Sequence, residues 1–461
     1  CSLSSGRMHG KLRHFLGLCK GSLLLALLCV LQSIARASDV TQLSIPASSS
    51  HLKYRFTLDE FCQEIRSHNP QFLSAYKSYL SAKAVPPQLL APNNPQLGII
   101  QMQAPGQPEY TLAQSFPFPG KKRLAAAIAD SQAKSLGWQA ETLYVQLVAQ
   151  AKTQFFQLLS LQRQYQLNED SIQRLEQMKR VTQVRYAQNA AAFVDFLNAQ
   201  VAESSAETNR FSLQRQIDTT RATLNTLIGR DPGSPLEVIG TIPETRIVSI
   251  PLRRLKDWAL VYNPAIRSGL HQVKAAEDNV RLAKLAYFPD FQIVGSLVSN
   301  QAPFFFTPVN GYGVELDVIL PFWFWRKEKH GVEQAKYAYD ASQAAQLSLV
   351  QQTELAVESA YNALAQAVKQ VDFIRTRQLE EARAAYRLAL TNYESGTTPF
   401  VNLLTAQDTL RTTELALAQG EANAAQAYQA LTAAIGVDPM RLAALSKGHR
   451  EVRPGQKVGS P

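Results

Sequence analysis

The chain has 461 residues, of which 46% are hydrophobic and 18% are charged. It is therefore long enough to bury a core, and its composition is not that of an intrinsically disordered protein. The formal net charge is +10, but residues 1–37 hold five basic residues and no acidic one, so the rest of the chain carries +5. This modest excess, without a cluster of basic and aromatic residues, does not indicate a nucleic-acid-binding protein.

The first 37 residues have the pattern of an export signal. A basic stretch around Lys11 precedes a mostly apolar run, Gly21–Ala35, and Ala35-Arg36-Ala37 fits a small-x-small cleavage site. We therefore expect a mature chain that begins at Ser38. The alternative is an uncleaved anchor helix. Cleavage would leave Cys62 as the sole cysteine of the sequence, so no internal disulfide is expected.

An internal repeat is the strongest feature of the sequence. The pattern Tyr-x6-Phe-Val-[Asp/Asn]-x-Leu-x-Ala-Gln occurs at Tyr186–Gln200 and again at Tyr393–Gln407, 207 residues later. The register holds without a gap to a second motif, Ile-Gly-x-Asp-Pro, at residues 228–232 and 435–439. Upstream, an Asn-Pro pair also occurs twice, at Asn69-Pro70 and Asn263-Pro264. The chain is therefore predicted to contain two copies of one structural unit.

The repeat sets the predicted boundaries. After the signal at 1–37, we expect a first structural repeat over 38–236, a linker over 237–251, a second repeat over 252–439 and a tail over 440–461.

Each copy is predicted to contain a helix, a β-hairpin, a long helix, a short turn and a last helix. Small and apolar residues recur at steps of three and four, as they do on a packed helical face. One such face on the second long helix comprises Ala356, Ala360, Ala363, Ala367, Val371 and Ile374. The predicted helices are 57–85, 121–186 and 195–228 in the first copy, and 252–287, 327–392 and 402–435 in the second. Because the two shorter helices together match the long one, at roughly 100 Å, we expect them to stack end to end beside it.

Four strands are predicted, two in each copy. They are Gln96–Gln103, Glu109–Phe116, Phe291–Asn300 and Tyr312–Leu320. In the last strand, apolar residues such as Leu316 alternate with Glu315 and Asp317, a pattern typical of a membrane barrel strand that faces lipid on one side and a water-filled lumen on the other. An ordinary half-buried soluble hairpin explains the first pair of strands equally well. Four strands cannot close a membrane barrel, which needs about eight, whereas three chains would supply twelve.

These features together resemble the TolC-like outer-membrane efflux protein family, over nearly the whole mature chain. The resemblance rests on the duplicated motifs and on the segment Gln114-Ser-Phe-Pro-Phe-Pro-Gly-Lys-Lys-Arg123, which is most similar to the branch that serves metal-cation pumps. The family implies an α+β membrane protein, a homotrimer with a twelve-stranded outer-membrane β-barrel and a long periplasmic α-helical barrel. It also implies three kinds of partner: a periplasmic adaptor protein, an inner-membrane pump and the surrounding outer-membrane lipid.

The resemblance also implies where such a channel would narrow. In the family the helix–turn–helix tips form the periplasmic entrance. Here the first tip is Ala187–Ala192 and the second is Glu394–Pro399. The turn residues of these tips are Asn189, which tolerates a left-handed backbone, and Gly396, Thr397 and Thr398.

Four residues just after the tips are the candidate aperture: Asp195, Asn198, Asn402 and Thr405. Asn402 and Thr405 stand at positions where the family often has acidic residues, so a cation-binding gate is not expected at those two positions. An alternative role for Asp195 and Asn402 is to cap the starts of their helices.

No catalytic motif is present in the sequence. It has no Gly-x-Ser-x-Gly, no Cys-x-x-Cys and no histidine pair with metal-ligand spacing. We therefore expect no enzyme activity, no cofactor and no resident metal. The predicted function is the outer-membrane channel of a tripartite efflux system in a Gram-negative bacterium. The alternative is a periplasmic scaffolding coiled coil that never enters a membrane, and no motif specifies a transported substrate.

Overall fold

The computed structural model describes residues 54–101, 108–246, 250–299 and 309–442. The chain divides into two compact units, residues 1–53 and 54–461, and the described residues all belong to the second. The predicted export signal and its cleavage site therefore lie outside the described residues.

Within these ranges the chain is mostly helical. The helices are α1 Leu58–His68, α2 Pro70–Lys83, α3 Val85–Leu90, α4 Lys121–Ala187, α5 Phe193–Leu227, α6 Leu252–Tyr262, α7 Pro264–Leu285, α8 Glu328–Phe373, α9 Leu379–Glu394 and α10 Phe400–Ile435. A π-helical turn, Ile374–Gln378, joins α8 to α9. The strands are β1 Arg55–Phe56, β2 Gln96–Gln101, β3 Pro108–Phe116, β4 Glu237–Val238, β5 Asp290–Ser299 and β6 Val309–Ile319. In the part of the chain that the structure describes, no helix is both long and apolar enough to cross a membrane.

The helices predicted at 57–85 and 252–287 are each interrupted at the Asn-Pro pair, so the prediction of continuous helices was wrong there. The residue before a proline disfavours helical backbone, and proline suits the first position of a new helix. Asn69 accordingly ends α1 in an extended conformation, and its side chain accepts a hydrogen bond from the N–H of Phe72 at 2.9 Å. Asn263 likewise ends α6 in an extended conformation, and its side chain caps the start of α7 by accepting a hydrogen bond from the N–H of Ala265 at 2.8 Å.

The duplicated motifs meet in space in both copies. The Asn69 amide donates to the carbonyl of Leu227 at 2.8 Å, and the Asn263 amide donates to the carbonyl of Ala434, also at 2.8 Å. Beside them, Gly229 has a φ of +70°, and a Cβ there would lie 2.5 Å from the carbonyl oxygen of His68. The repeated glycine is therefore required by backbone contact as well as by its left-handed conformation.

At two successive levels, four helical elements lie side by side. On the strand side of the molecule the order is α2 and α3, then α4, α7 and α8. On the side of the tips the order is α5, α4, α10 and finally α8 with α9. The long helix α4 runs through both rows with α7 and α10 on one flank, as the expected end-to-end stacking of shorter helices requires.

The predicted packing face of α8 is displaced by about one residue. Val357 and Leu364 are buried, whereas Ala356 and Ala363 are exposed, although Val371 and Ile374 of the predicted face are buried. Two neighbouring faces of this helix satisfy steps of three and four. The face with the larger aliphatic side chains points inward because it removes more apolar area from water.

The linker between the copies lies against the π-helical turn. Arg375 donates to Glu244 of the linker at 3.3 Å and to Glu421 of α10 at 2.7 Å. The turn spans a five-residue step between two buried residues, Ile374 and Leu379. Buried residues on one face of an α-helix are three or four positions apart, so this step contains one additional residue. The wider π-helical turn accommodates it, and the buried face therefore continues from α8 into α9.

Candidate functional site

The sheet at the strand end has two chemically different faces. Its order is β2-β3-β5-β6, antiparallel throughout. Leu316 lies opposite Ile293, and two positions along, Val318 lies opposite Phe291, which itself lies opposite Phe116. Directly opposed residues point to the same side of a sheet. Apolar side chains from all four strands therefore share one face.

That apolar face has no cover within the described chain. Tyr312 and Val314 are 86% and 81% exposed, and Leu97 and Ile99 of β2 are 73% and 67% exposed. Soluble monomers rarely expose an apolar surface of this extent, which instead marks an interaction with another protein or with lipid. Because the first hairpin shares this face, its exposure argues against the alternative of a half-buried soluble hairpin.

The opposite face carries the predicted lumen residues. Glu315 is exposed and lies opposite Val294, and Asp317 is partly exposed and lies opposite Gln292. Thr111 and Ser296 are paired on the same side. This face therefore carries mostly polar side chains with some apolar ones, as the alternation in the last strand predicts.

Both edges of the sheet are open within the part of the chain that the structure describes. β2 pairs only with β3, and β6 pairs only with β5. The two helical rows end in the same way, with α2 or α5 at one side and α8 or α9 at the other. The sheet and both helical rows therefore each end, on both sides, in an element that has no further neighbour among the described residues.

At the other end of the long helices, the two tips are built identically. Asn189 has a φ of 57° and Gly396 a φ of 78°, as predicted for these turn positions. The N–H of Ala190 donates to the carbonyl of Arg185 at 2.8 Å, and the N–H of Thr397 donates to the carbonyl of Asn392 at 2.9 Å. This closure, with one left-handed residue, is the usual way in which a helix ends at a tight turn.

Arg185 ties the first tip to the second. Its guanidinium lies 4.7 Å from the centre of the Tyr393 ring and donates to the carbonyl of the same residue. It also donates to the carbonyls of Ala190 at 3.4 Å and Glu394 at 3.5 Å. Sequence reasoning did not identify Arg185, because nothing in the spacing shows that its partners are backbone carbonyls of the other copy.

Asp195 belongs to the same cluster. Partial burial raises the pKa of its carboxyl, while the charge of Arg185 and the N–H of Ala192 oppose that shift. Burial, and then the charge of Asp195, raise the pKa of the Tyr393 hydroxyl. The N-cap residues of α5 and α10 are Ala192 and Pro399, so neither Asp195 nor Asn402 occupies the N-cap position, but the Asp195 carboxyl interacts with the N–H of the N-cap residue Ala192. Asp195 and Asn402 are each the third residue of their helix.

The other predicted tip residues are mostly on the surface. Asn198, Asn402 and Thr405 are exposed. Thr397 donates its hydroxyl to the carbonyl of Asn392 at 2.9 Å and so supports the turn. Thr398 has a buried hydroxyl oxygen without a hydrogen-bond partner among the described residues.

Ile172, Met178 and Phe400 form part of the buried cluster beneath the tips. Arg174 of α4 also pairs there with Glu414 of α10 at 3.1 Å, and both side chains are less than a quarter exposed. This partly buried ion pair joins the two copies beneath the tips. Among the described residues there is no group of three or more His, Cys, Asp or Glu side chains arranged to hold a metal ion.

Comparison with known proteins finds relatives among outer-membrane efflux and export proteins. Residues 255–437 match the family model for the outer membrane efflux protein. The chain is 23% identical over 300 residues to toxin and drug export protein A of Aggregatibacter actinomycetemcomitans, covering 63% of this chain and 64% of that protein. It is 24% identical over 328 residues to the pyoverdine export outer membrane protein OpmQ of Pseudomonas aeruginosa, covering 69% and 67%.

Among solved structures, the outer-membrane channel OprN superposes with a TM-score of 0.72 at 18% identity, covering 82% of this chain and 89% of that one. This likeness shows the fold, which is mostly helical with a small set of strands. Together with the duplicated motifs and the family model matched by residues 255–437, it confirms the predicted resemblance to the outer membrane efflux protein family and the predicted location in the outer membrane with periplasmic helices.

Proposed function

We propose that three copies of this chain close into a channel, with twelve strands forming a barrel in the outer membrane. An 11-residue strand such as β6, at about 3.3 Å per residue and tilted by about 45°, spans roughly 25 Å. This is the height of the apolar band of outer-membrane barrels. The apolar face would then contact lipid, and Glu315 and Asp317 would line the lumen.

The observation that carries this proposal is the exposed apolar face of a sheet with two open edges. Closing a ring removes every open edge, which is the condition for strands to exist in a membrane. A periplasmic scaffold, the alternative function, would leave Tyr312 and Val314 in water at 86% and 81% exposure. That arrangement would favour aggregation over solubility.

At the other end, we place the periplasmic entrance at the tips, where a periplasmic adaptor and an inner-membrane pump would deliver the substrate. Asp195, Asn198, Asn402 and Thr405 follow the tips directly, so three copies would bring twelve such side chains toward one ring. The family relationship supports a conduit and not an enzyme. The similarity of the segment Phe116–Lys122 to the metal-cation branch remains a prediction about the cargo.

The test is conductance of the purified full-length protein in a planar bilayer, together with its mass in detergent. We expect a trimer that forms ion-conducting pores. Asp317→Asn should lower the preference for cations, because three carboxylates would leave the lumen. The matched control is Val314→Leu, on the same strand but the opposite face, which should leave selectivity unchanged. A stable monomer that forms no pores would overturn the proposal and favour the scaffold.

A further inference from the structure

A short segment between β6 and α8 combines exposed aromatic rings with positive charge. The segment Phe322–Lys329 reads Phe-Trp-Phe-Trp-Arg-Lys-Glu-Lys, and we call it the aromatic–basic belt. Its four aromatic side chains are exposed by 71%, 62%, 49% and 46% in chain order. Large aromatic side chains are normally buried, so four consecutive exposed ones indicate a surface that is covered in the assembled protein.

The register of the sheet fixes the level of this segment. Ile319, at the end of β6, lies opposite Asp290, at the start of β5, and the next residue, Phe291, lies opposite Phe116 at the end of β3. The last residues of β3 and β6 and the first residues of β5 therefore lie at the same end of the sheet, and the belt follows β6 at that end. Other aromatic residues gather there, because the Phe324 ring lies 6.5 Å from that of Tyr287.

The cations of the belt have no acidic partner among the residues that the structure describes. Arg326, Lys327 and Lys329 are exposed and form no salt bridge with any described residue. Lys121, at the equivalent junction of the first copy, differs because it pairs with Asp290 at 2.7 Å. With one acid, Glu328, the belt carries a net charge of +2. Charge complementarity thus calls for an anionic occupant.

One occupant satisfies both the rings and the charges. Tryptophan is favoured at the level of lipid headgroups, and lysine and arginine extend from apolar surroundings to reach phosphates. The belt also begins three residues beyond β6, where the proposed lipid-facing surface ends on its periplasmic side. An acidic protein partner would explain the cations, but it would not explain why four exposed rings follow directly after a strand with an exposed apolar face.

We propose that the aromatic–basic belt binds the headgroups of anionic phospholipids in the periplasmic leaflet of the outer membrane. The rings would lie at the interface, and Arg326, Lys327 and Lys329 would contact lipid phosphates. This inference rests on the proposed insertion of the sheet, and it adds a selectivity for lipid charge that insertion alone does not require.

The experiment measures which lipids the full-length protein retains from nanodiscs of phosphatidylcholine and phosphatidylglycerol in equal amounts, by native mass spectrometry of the ejected assembly. An unpaired cation near a membrane surface is worth about a fivefold preference for anionic lipid. We expect the wild-type protein to retain phosphatidylglycerol at least about fivefold over phosphatidylcholine. The triple variant Arg326→Gln, Lys327→Gln, Lys329→Gln should retain the two lipids about equally.

The matched control removes three exposed cations far from the sheet, as Arg163→Gln, Lys369→Gln and Arg387→Gln, and should keep the wild-type preference. Equal retention of both lipids by the wild-type protein would overturn the inference, as would the same loss in the control variant. Displacement of the retained phosphatidylglycerol by inorganic phosphate alone would also overturn it, because the site would then recognise a free anion. Pore conductance in the same preparation separates the two proposals: a conducting trimer without lipid preference refutes only the belt.

Discussion

A single arginine on the apolar face of the sheet provides the sharpest test of its orientation. Leu316 is 63% exposed and lies opposite Ile293. The centre of β6 is Val314, so Leu316 is two residues away from it. At about 3.3 Å per residue and a tilt of about 45°, this places Leu316 roughly 5 Å from the bilayer midplane.

The cost of Leu316→Arg follows from that depth. Arginine on the lipid face of an outer-membrane barrel costs about 2–4 kcal/mol at the midplane and less near the interfaces. We therefore expect a loss of about 3 kcal/mol per chain in the free energy of unfolding. In a ring of three identical chains the loss would be about threefold larger.

Urea unfolding of the protein in phospholipid vesicles measures this loss. Glu315→Arg is the matched control, because it places the same side chain on the next residue and the opposite face. Its cost should stay below about 1 kcal/mol if Glu315 contacts water in the lumen. Equal costs for the two variants would refute the difference between the faces, and a larger cost for Glu315→Arg would show that the faces are assigned the wrong way round.

Three further variants concern the tips. Arg185→Gln should lower protection of the tip amides from hydrogen exchange by about 1–2 kcal/mol, since a cation–π contact and charged hydrogen bonds are lost; unchanged protection would mean that the link between copies contributes nothing. Gly396→Val forces a β-branched residue into a left-handed conformation and should cost about 1–2 kcal/mol, with impaired efflux in cells, whereas Asn189→Gly at the equivalent position should be close to neutral; the reverse order would contradict the tip geometry. Asn402→Asp should increase the cation preference of single channels, and unchanged selectivity would place the aperture elsewhere.

Much of the fold follows from the sequence because local rules and the repeat agree. Predicted long helices at 121–186 and 327–392 correspond to α4 at Lys121–Ala187 and to α8 with α9 up to Glu394. The alternation of apolar and acidic residues in the last strand predicted that Leu316 lies on the apolar face, because successive residues of a strand point to opposite faces. The left-handed turn at Asn189 followed from the repeat, which aligns it with Gly396.

The sequence was less informative where several patterns fit equally well. The alanine face of α8 was misplaced because steps of three and four occur on two adjacent faces, and only packing against α6 and α10 selects the one with Val357 and Leu364. The π-helical turn at Ile374–Gln378 could not be predicted, because an inserted residue leaves no composition signal. The role of Arg185 depends on backbone carbonyls from a segment 208 residues away.

The open edges of β2 and β6 have a genetic consequence. A strand edge with free N–H and C=O groups readily pairs with another strand, and in the proposed trimer each copy would pair with its neighbours through these edges. Variant and normal copies made in one cell would therefore mix in the same rings. With equal production and random mixing, only about one ring in eight would contain three normal chains. A substitution that blocks the tips yet preserves the edges should thus act dominantly when it is expressed beside the normal gene.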